Sequence, residues 1–301
     1  MTLIKDYPAR QAVQEAIRQP ADRTVRQPER QADDASCERH PRRVKDKVAL
    51  VTGAGSGIGR AAALKLAAEG AMVALVDRKE NRAEDVKRQI EEQHGFGKAI
   101  VTDADAADPL RLQDAFRQTI ARFGKLDIVF ANAGINGVVS PIEHLSEAAW
   151  DETLGNNLRS TFLTVKYAIP HMKPHGGSII ITSSINGNRK FSSFGMSAYA
   201  TSKAGQLAFG KMAALELARW RIRVNVICPG AIETNIGESA IRTPELGDIQ
   251  IPVYYPQGSK PLERGPGKPE QVADLVLFLA SDEASHITGT EIYIDGAESL
   301  L

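Results

Sequence analysis

Seven short apolar segments rich in β-branched residues recur along the chain, and helical patterns separate them. The segments are KVALVTG, AMVALVD, KAIVTD, LDIVFANAG, GSIIITSS, RVNVICPG and EIYIDG. Strands that are apolar on both faces and alternate with helices are typical of a parallel sheet covered on both sides. The pattern predicts an α/β fold: a single doubly wound domain with a seven-stranded parallel sheet and no second substrate domain.

The first 44 residues differ in composition from the rest. The stretch RQPADRTVRQPERQADDASCERHPRR mixes both charges with proline and has almost no large apolar residues, which is typical of disordered or loosely docked polypeptide. It has neither the apolar core of a secretory signal nor the acid-poor composition of a transit peptide. We expect residues 1–44 to be a leader and residues 45–301 to be the catalytic domain.

Charge and composition exclude several partners. The 37 Lys and Arg residues balance 37 Asp and Glu residues, so no basic excess indicates nucleic acid or an anionic membrane surface. No apolar run approaches the roughly 20 residues that cross a bilayer.

Cys37 and Cys228 form no CxxC pair, and prolines interrupt the His171 and His175 segment, so we predict no metal site and a reducing, cytoplasmic location.

A glycine-rich turn, TGAGSGIGR, follows the first predicted strand and opens a helix. Its glycines allow a tight turn and a close approach of the backbone to a pyrophosphate, which a helix amino terminus attracts. Within a βαβ unit such a turn predicts a Rossmann-type dinucleotide site at the carboxyl ends of the strands. The turn residues expected to contact the cofactor are Gly53, Ser56, Gly57, Ile58 and Gly59.

The second predicted strand ends in Asp77, followed by Arg78 and Lys79. An acidic side chain at this point would accept hydrogen bonds from the adenosine ribose and repel a 2′-phosphate, which favours NAD as the cofactor. Arg78 or Lys79 could instead contact that phosphate, so NADP stays open. A polar residue that merely caps the strand is the alternative for Asp77.

The stretch SAYATSK places Tyr199 and Lys203 four residues apart, on one face of a predicted helix. The ordinary pKa of a phenol is about 10, and a nearby cation lowers it toward neutrality, where the group acts as a general acid or base. Pairs of this spacing also occur by chance on surface helices, so the pair alone does not establish catalysis.

Five motifs together resemble the short-chain dehydrogenase/reductase family in order and spacing. They are TGAGSGIG, NAG at 132–134, SS at 183–184, YATSK at 199–203 and CPG at 228–230. The resemblance spans about residues 45–296. It implies an NAD(P)-dependent oxidoreductase that transfers a hydride between a nicotinamide cofactor and a small-molecule secondary alcohol or ketone.

The resemblance also implies roles for individual residues. Tyr199 would be the acid/base, and Lys203 would hold the nicotinamide ribose and lower the pKa of the tyrosine. Ser184 would bind the substrate oxygen, with Ser183 as the fallback. Fifteen positions separate Ser184 from Tyr199, against about 13 in the family, so the intervening loop is expected to be longer over the substrate.

Asn157, rather than Asn156, is expected to anchor a water that links Lys203 to solvent. Asp105 matches the family aspartate near the adenine amino group. The further positions expected to contact the cofactor are Ala106, Asn132, Ala133, Gly134, Pro229, Gly230, Ile232 and Thr234.

The segment at 231–265 lies between the sixth predicted strand and the last helix and is expected to form a mobile lid. Phe191, Phe194, Tyr254 and Tyr255 would line the substrate site or pack within the lid itself.

Two other functions stay open. One is an NADP-dependent carbonyl or 3-oxoacyl carrier-protein reductase, in which Arg78 or Lys79 contacts the 2′-phosphate. The other is an inactive nucleotide-binding scaffold, against which the intact Ser184, Tyr199 and Lys203 argue.

The segments TFLTVKYAI and GQLAFGKMAALEL are apolar or small on more than one side, which indicates burial against something besides the sheet. In the resembled family these helices pair across a twofold axis, and the chain end often packs on another subunit. We predict a homotetramer rather than a dimer, with Gly210 and Ala214 allowing close approach of the helices.

Overall fold

The computed structural model of the chain describes residues 42–256 and 258–301. The expected leader, residues 1–44, therefore lies almost entirely outside the described residues. Seven strands form the main sheet, and they coincide with the seven predicted segments. They are β1 (Val48–Thr52), β2 (Met72–Asp77), β3 (Ala99–Asp103), β4 (Ile128–Ala131), β6 (Gly177–Thr182), β7 (Ile222–Pro229) and β9 (Glu291–Ile294).

The main sheet has the strand order β3-β2-β1-β4-β6-β7-β9, and all neighbouring pairs are parallel. The predicted fold class is confirmed. The order reverses between β1 and β4, so a crevice opens between their carboxyl ends, where doubly wound sheets bind ligands.

Seven helices cover the sheet: α1 (Gly57–Ala68), α2 (Glu80–His94), α3 (Pro109–Phe123), α4 (Glu147–Leu154), α5 (Ser160–Met172), α6 (Ser197–Leu217) and α7 (Pro269–Ala280) within the described residues. Alternate residues of β1 enter two separate cores: Ala49 and Val51 pack with α1, α2 and α7, whereas Leu50 packs with α3, α5 and α6. The strands are predominantly apolar because both faces of the sheet are buried.

A second, two-stranded parallel sheet joins β5 (Gly137–Val139) to β8 (Ala240–Arg242). It attaches the segment after β7 to the loop after β4. The Asn136 backbone N–H donates to the Ser239 hydroxyl at 2.9 Å, and the Asn136 side chain donates to the Ile236 carbonyl at 3.2 Å. The sequence does not predict this sheet, because three-residue strands carry no periodicity.

One prediction about α6 is wrong. Gly210 and Ala214 face the sheet: a Cβ on Gly210 would lie 2.5 Å from the Val226 side chain, and Ala214 is buried. Neither residue is available to pair with another subunit. Met212 and Leu215 are instead 57% and 76% exposed on the outer face.

Candidate active site

A cavity of about 710 Å³ lies at the carboxyl ends of the central strands. It contains most of the residues predicted from the sequence. Those that line it are Gly53, Ser56, Gly57, Ile58, Asp77, Arg78, Asp105, Ala106, Asn132, Ala133, Gly134, Ser184, Tyr199, Lys203, Pro229, Gly230, Ile232 and Thr234. Gly59 and Asn157 do not line it and lie behind its wall.

The glycine turn forms a narrow cradle over this cavity. Gly53 and Gly57 have φ angles of +67° and +51°, which side chains other than glycine's rarely tolerate. A Cβ on Gly59 would lie 2.1 Å from the Gly53 carbonyl oxygen, so Gly59 serves close packing. Ser56 provides no side-chain cap to α1, so the first-turn N–H donors remain for an anion, and the cradle fits a pyrophosphate.

Asp77 fixes the adjoining end of the cavity. Its carboxylate accepts hydrogen bonds from the Gly55 N–H at 2.8 Å and the Lys79 N–H at 2.9 Å. The side chain therefore orients the glycine turn as well as facing the cavity. Arg82 also lines this end of the cavity. Sequence analysis missed it because it lies in the first turn of α2, five residues after the end of β2.

Asn132 connects three neighbouring strand ends. Its side chain donates to the Thr52 carbonyl at 3.2 Å, and its backbone N–H donates to the Thr52 hydroxyl at 3.0 Å. The Thr182 hydroxyl donates to the Asn132 side-chain oxygen at 3.2 Å. The bonds tie β1, β4 and β6 together beneath the cavity.

Tyr199 and Lys203 lie on one face of α6, and both are buried. The Lys203 ammonium donates to the Thr182 carbonyl at 3.0 Å and lies 5.5 Å from the centroid of the Tyr199 ring. Ser184 lies beside Tyr199 and acts to lower the pKa of its phenol. Ser183 instead donates to the Lys203 carbonyl at 2.7 Å, so of the two serines Ser184 faces the phenol.

The expected lowering of the Tyr199 pKa is not what the structure gives. Burial raises the pKa of Tyr199, and the neighbouring Ser184 side chain opposes that rise only in part. Burial also lowers the pKa of Lys203 to about 8. Both shifts have the same cause, because a low-dielectric surrounding disfavours the charged form of each group.

Asn157 lies in a π-helical turn, Gly155–Arg159, between α4 and α5. Its side chain pairs with the Ile135 backbone in both directions, at 2.8 and 3.0 Å, and donates to the Ser202 hydroxyl at 2.9 Å. A Cβ on Gly134 would lie 2.9 Å from the Asn157 side-chain oxygen and 3.5 Å from the Lys203 nitrogen. Asn157 thus joins the loop after β4 to α6 beside Lys203.

A smaller cavity of about 230 Å³ adjoins the main one and shares Asn186, Ser193 and Met196 with it. Phe191 and Phe194 line the smaller cavity. Tyr254 and Tyr255, also predicted as candidate lining residues, line neither cavity.

Within residues 42–256 and 258–301, no group of three or more His, Cys, Asp or Glu side chains is arranged to hold a metal ion. In the same part of the chain, no helix has the length and apolarity needed to span a membrane.

The low pKa of Lys203 makes stability depend on pH. Between about pH 8 and pH 10.5 the unfolded chain holds a proton that folded Lys203 has lost, so the free energy of unfolding rises with pH. We expect urea unfolding to show that wild type gains up to about 3 kcal/mol over Lys203→Met across this range.

Lys211→Met is the control. The hydrogen bond that the Lys211 ammonium donates to Glu291 raises the pKa of Lys211, so its stabilising contribution is present below about pH 10.5 and is lost only as pH rises further. A wild-type advantage over Lys203→Met that stays flat or falls between pH 8 and 10 would contradict the assigned direction.

Comparison with known proteins identifies the family. A family model described as enoyl-(acyl carrier protein) reductase matches residues 53–297. A short-chain dehydrogenase/reductase of Aspergillus oryzae is 37% identical over 261 residues, which are 86% of this chain and 97% of that protein.

Solved structures support the same family assignment. A 3-ketoacyl-ACP reductase from Sinorhizobium meliloti 1021 matches with a TM-score of 0.80 and 47% identity, covering 84% of this chain and 99% of that one. A 3-ketoacyl-(acyl-carrier-protein) reductase from Brucella melitensis complexed with NADH matches with a TM-score of 0.74 and 31% identity over 85% and 99%. The chain therefore belongs to the short-chain dehydrogenase/reductase family and is an oxidoreductase that acts on alcohol or carbonyl groups with a nicotinamide cofactor.

Proposed function

We propose that the protein is an NAD-dependent dehydrogenase of secondary alcohols in which Tyr199 is the catalytic acid/base. One observation carries the proposal: the Tyr199 phenol, the Ser184 hydroxyl beside it and the Lys203 ammonium share one buried edge of the cavity. A phenol, a hydroxyl and a cation in this arrangement suit the transfer of a proton to or from a carbinol oxygen.

Each residue has a distinct task. Deprotonated Tyr199 takes the hydroxyl proton of the alcohol, and Ser184 donates a hydrogen bond that stabilises the charge developing on the same oxygen. Lys203 stabilises the phenolate by its positive charge. Nicotinamide supplies the hydride chemistry when bound. In the reverse direction Tyr199 returns the proton to the oxygen.

Asn157 has a positioning role in this proposal. Its bonds to Ile135 and Ser202 hold the wall of the cavity beside Lys203, where a water anchored by Asn157 would link the lysine to solvent.

NAD would lie along the crevice, with its pyrophosphate at the glycine turn. Asp77 would accept the ribose hydroxyls, since each of its oxygens keeps a lone pair beyond the one bonded to the backbone. Asp105, whose carboxylate accepts from the Ala107 N–H at 2.8 Å, would lie near the adenine. The other proposed cofactor contacts are Gly53, Ser56, Gly57, Ile58, Arg78, Ala106, Asn132, Ala133, Gly134, Tyr199, Lys203, Pro229, Gly230, Ile232 and Thr234.

An NADP-dependent 3-oxoacyl reductase is the second candidate. The structure 47% identical to this chain is named a 3-ketoacyl-ACP reductase, and three cations, Arg78, Lys79 and Arg82, line the cavity around Asp77. In this alternative they would bind the 2′-phosphate.

We further propose a cytoplasmic homotetramer. Exposed apolar residues on the outer faces of α5 and α6, namely Phe162, Met212 and Leu215, support burial against a second copy of the chain. The free thiol of Cys228 accords with a reducing compartment.

Replacing Tyr199 by phenylalanine removes the proton donor and keeps the ring. We expect the turnover number for a secondary alcohol to fall at least about a hundredfold, while NADH binding measured by fluorescence stays within threefold of wild type, roughly the margin of context effects. Tyr254→Phe, at an 85% exposed tyrosine, is the matched control. Near-normal turnover in Tyr199→Phe would disprove the assignment.

Substitutions of Asp77 distinguish the two cofactors. Asp77→Asn keeps an acceptor and removes the charge, and Asp77→Ala removes both, so we expect calorimetry to give a progressive loss of preference for NAD over NADP. Asp103→Asn, at the corresponding end of β3, should leave the preference unchanged. If wild type binds NADP more tightly than NAD, the 3-oxoacyl reductase candidate gains instead.

Light scattering tests the assembly. At micromolar concentration we expect a mass near 130 kDa, four times the 32.6 kDa of one chain. Leu215→Arg should reduce that mass by placing a charge on the proposed interface. Leu110→Arg, at a 77% exposed leucine of α3, should not. A wild-type mass near 33 kDa would refute the tetramer.

A further inference from the structure

A largely buried ion pair joins two distant segments between the main and smaller cavities. The Lys190 ammonium lies 2.7 Å from a carboxylate oxygen of Glu298, and their side chains are only 16% and 9% exposed. The second oxygen of Glu298 accepts from the Ala231 N–H at 2.8 Å. Lys190 lines the smaller cavity and Glu298 lines the main one.

The loop that carries Lys190 is firmly placed. The Arg189 guanidinium stacks 3.4 Å from the centroid of the Tyr293 ring, and the Asn188 side chain donates to the Tyr293 hydroxyl. The Lys190 backbone N–H donates to the Ile185 carbonyl at 3.0 Å. The ion pair therefore has a defined position in the loop that runs from Ser184 to α6.

Within the part of the chain that the structure describes, the cations lining the two cavities are Arg78, Lys79, Arg82, Lys190 and Lys203. The first three lie around Asp77, at the adenosine end of the crevice. The other two are Lys203, which lies 5.5 Å from the centroid of the Tyr199 ring, and Lys190, which Glu298 already compensates. A substrate carboxylate beside this pair would meet the negative charge of Glu298 and lose hydration, while Lys190 is already compensated.

We propose that the Lys190–Glu298 pair determines specificity by restricting the site to substrates that carry no charge near the reacting carbon. The proposal rests on the proposed dehydrogenase function and names its substrate class: neutral secondary alcohols and ketones rather than short hydroxy or oxo acids. The apolar body of such a substrate fits the smaller cavity, where Phe191, Phe194 and Ile249 provide the surface.

The test uses two probes with the same reacting ketone, methyl acetoacetate and acetoacetate, of which only the second is charged. Glu298→Gln removes the negative charge and keeps one acceptor oxygen, which can serve the Ala231 N–H, so the freed Lys190 cation is available to a carboxylate. We expect the affinity of the NADH-loaded enzyme for acetoacetate relative to the ester, measured by calorimetry, to rise at least about tenfold over wild type. The ratio of kcat/KM values should move in the same direction.

Two further variants distinguish an effect of charge on substrate preference from a general structural effect of the substitution. Lys190→Met leaves Glu298 uncompensated, so the affinity for acetoacetate relative to the ester should fall below the wild-type value. The double variant Lys190→Met/Glu298→Gln should return it close to the wild-type value, because no net charge remains. Glu291→Gln breaks a more exposed lysine–glutamate pair, Lys211–Glu291 at 2.8 Å, outside both cavities, and should leave the ratio unchanged.

The outcomes are distinct. If Glu298→Gln binds acetoacetate no better relative to the ester, or if all variants weaken both probes equally, the pair is structural and the specificity proposal is wrong. If wild type binds NADH but reduces neither the ester nor any other neutral ketone, the proposed function fails, and the binding ratio still decides the role of the pair.

Discussion

The hydrogen bonds that Asn132 makes at the strand ends hold the site together. They join Thr52 of β1 to Thr182 of β6 through β4, and the carbonyl of Thr182 in turn accepts from Lys203. These groups are at least partly buried, so an unpaired member would cost about 1–3 kcal/mol. The position of the glycine turn and the position of the buried lysine are therefore linked through Thr52, Asn132 and Thr182.

Much of the fold could be predicted from the sequence because both faces of the sheet are covered. A strand such as β1, buried along its length, is apolar at every position except its last, Thr52, and this pattern is visible without coordinates. The cavity lining was also predictable in large part, since parallel strands place their carboxyl ends along one edge. Ser184 and Tyr199 meet for this reason: one follows the end of β6, and the other lies on the first turn of α6.

The features that could not be predicted depend on contacts between distant segments, on which face of a helix packs against the sheet, or on burial. Lys190 and Glu298 are 108 positions apart, and neither residue stands in a recognisable motif. Gly210 and Ala214 were assigned to the wrong face because α6 is small or apolar nearly all round, so periodicity does not identify the side that packs on the sheet. The direction of the Tyr199 pKa shift depends on burial, which spacing along a helix does not reveal.

Burial of Lys203 also explains how the site can favour a ligand rich in hydroxyl groups. An ammonium has three donors, and in the described residues the only hydrogen-bond acceptor of this one is the Thr182 carbonyl. Burial disfavours the charged form of this lysine and lowers its pKa to about 8. Hydroxyl oxygens placed beside it would restore acceptors and stabilise its charge. The same charge would then favour the phenolate of Tyr199, so ligand binding and proton transfer act on one buried group.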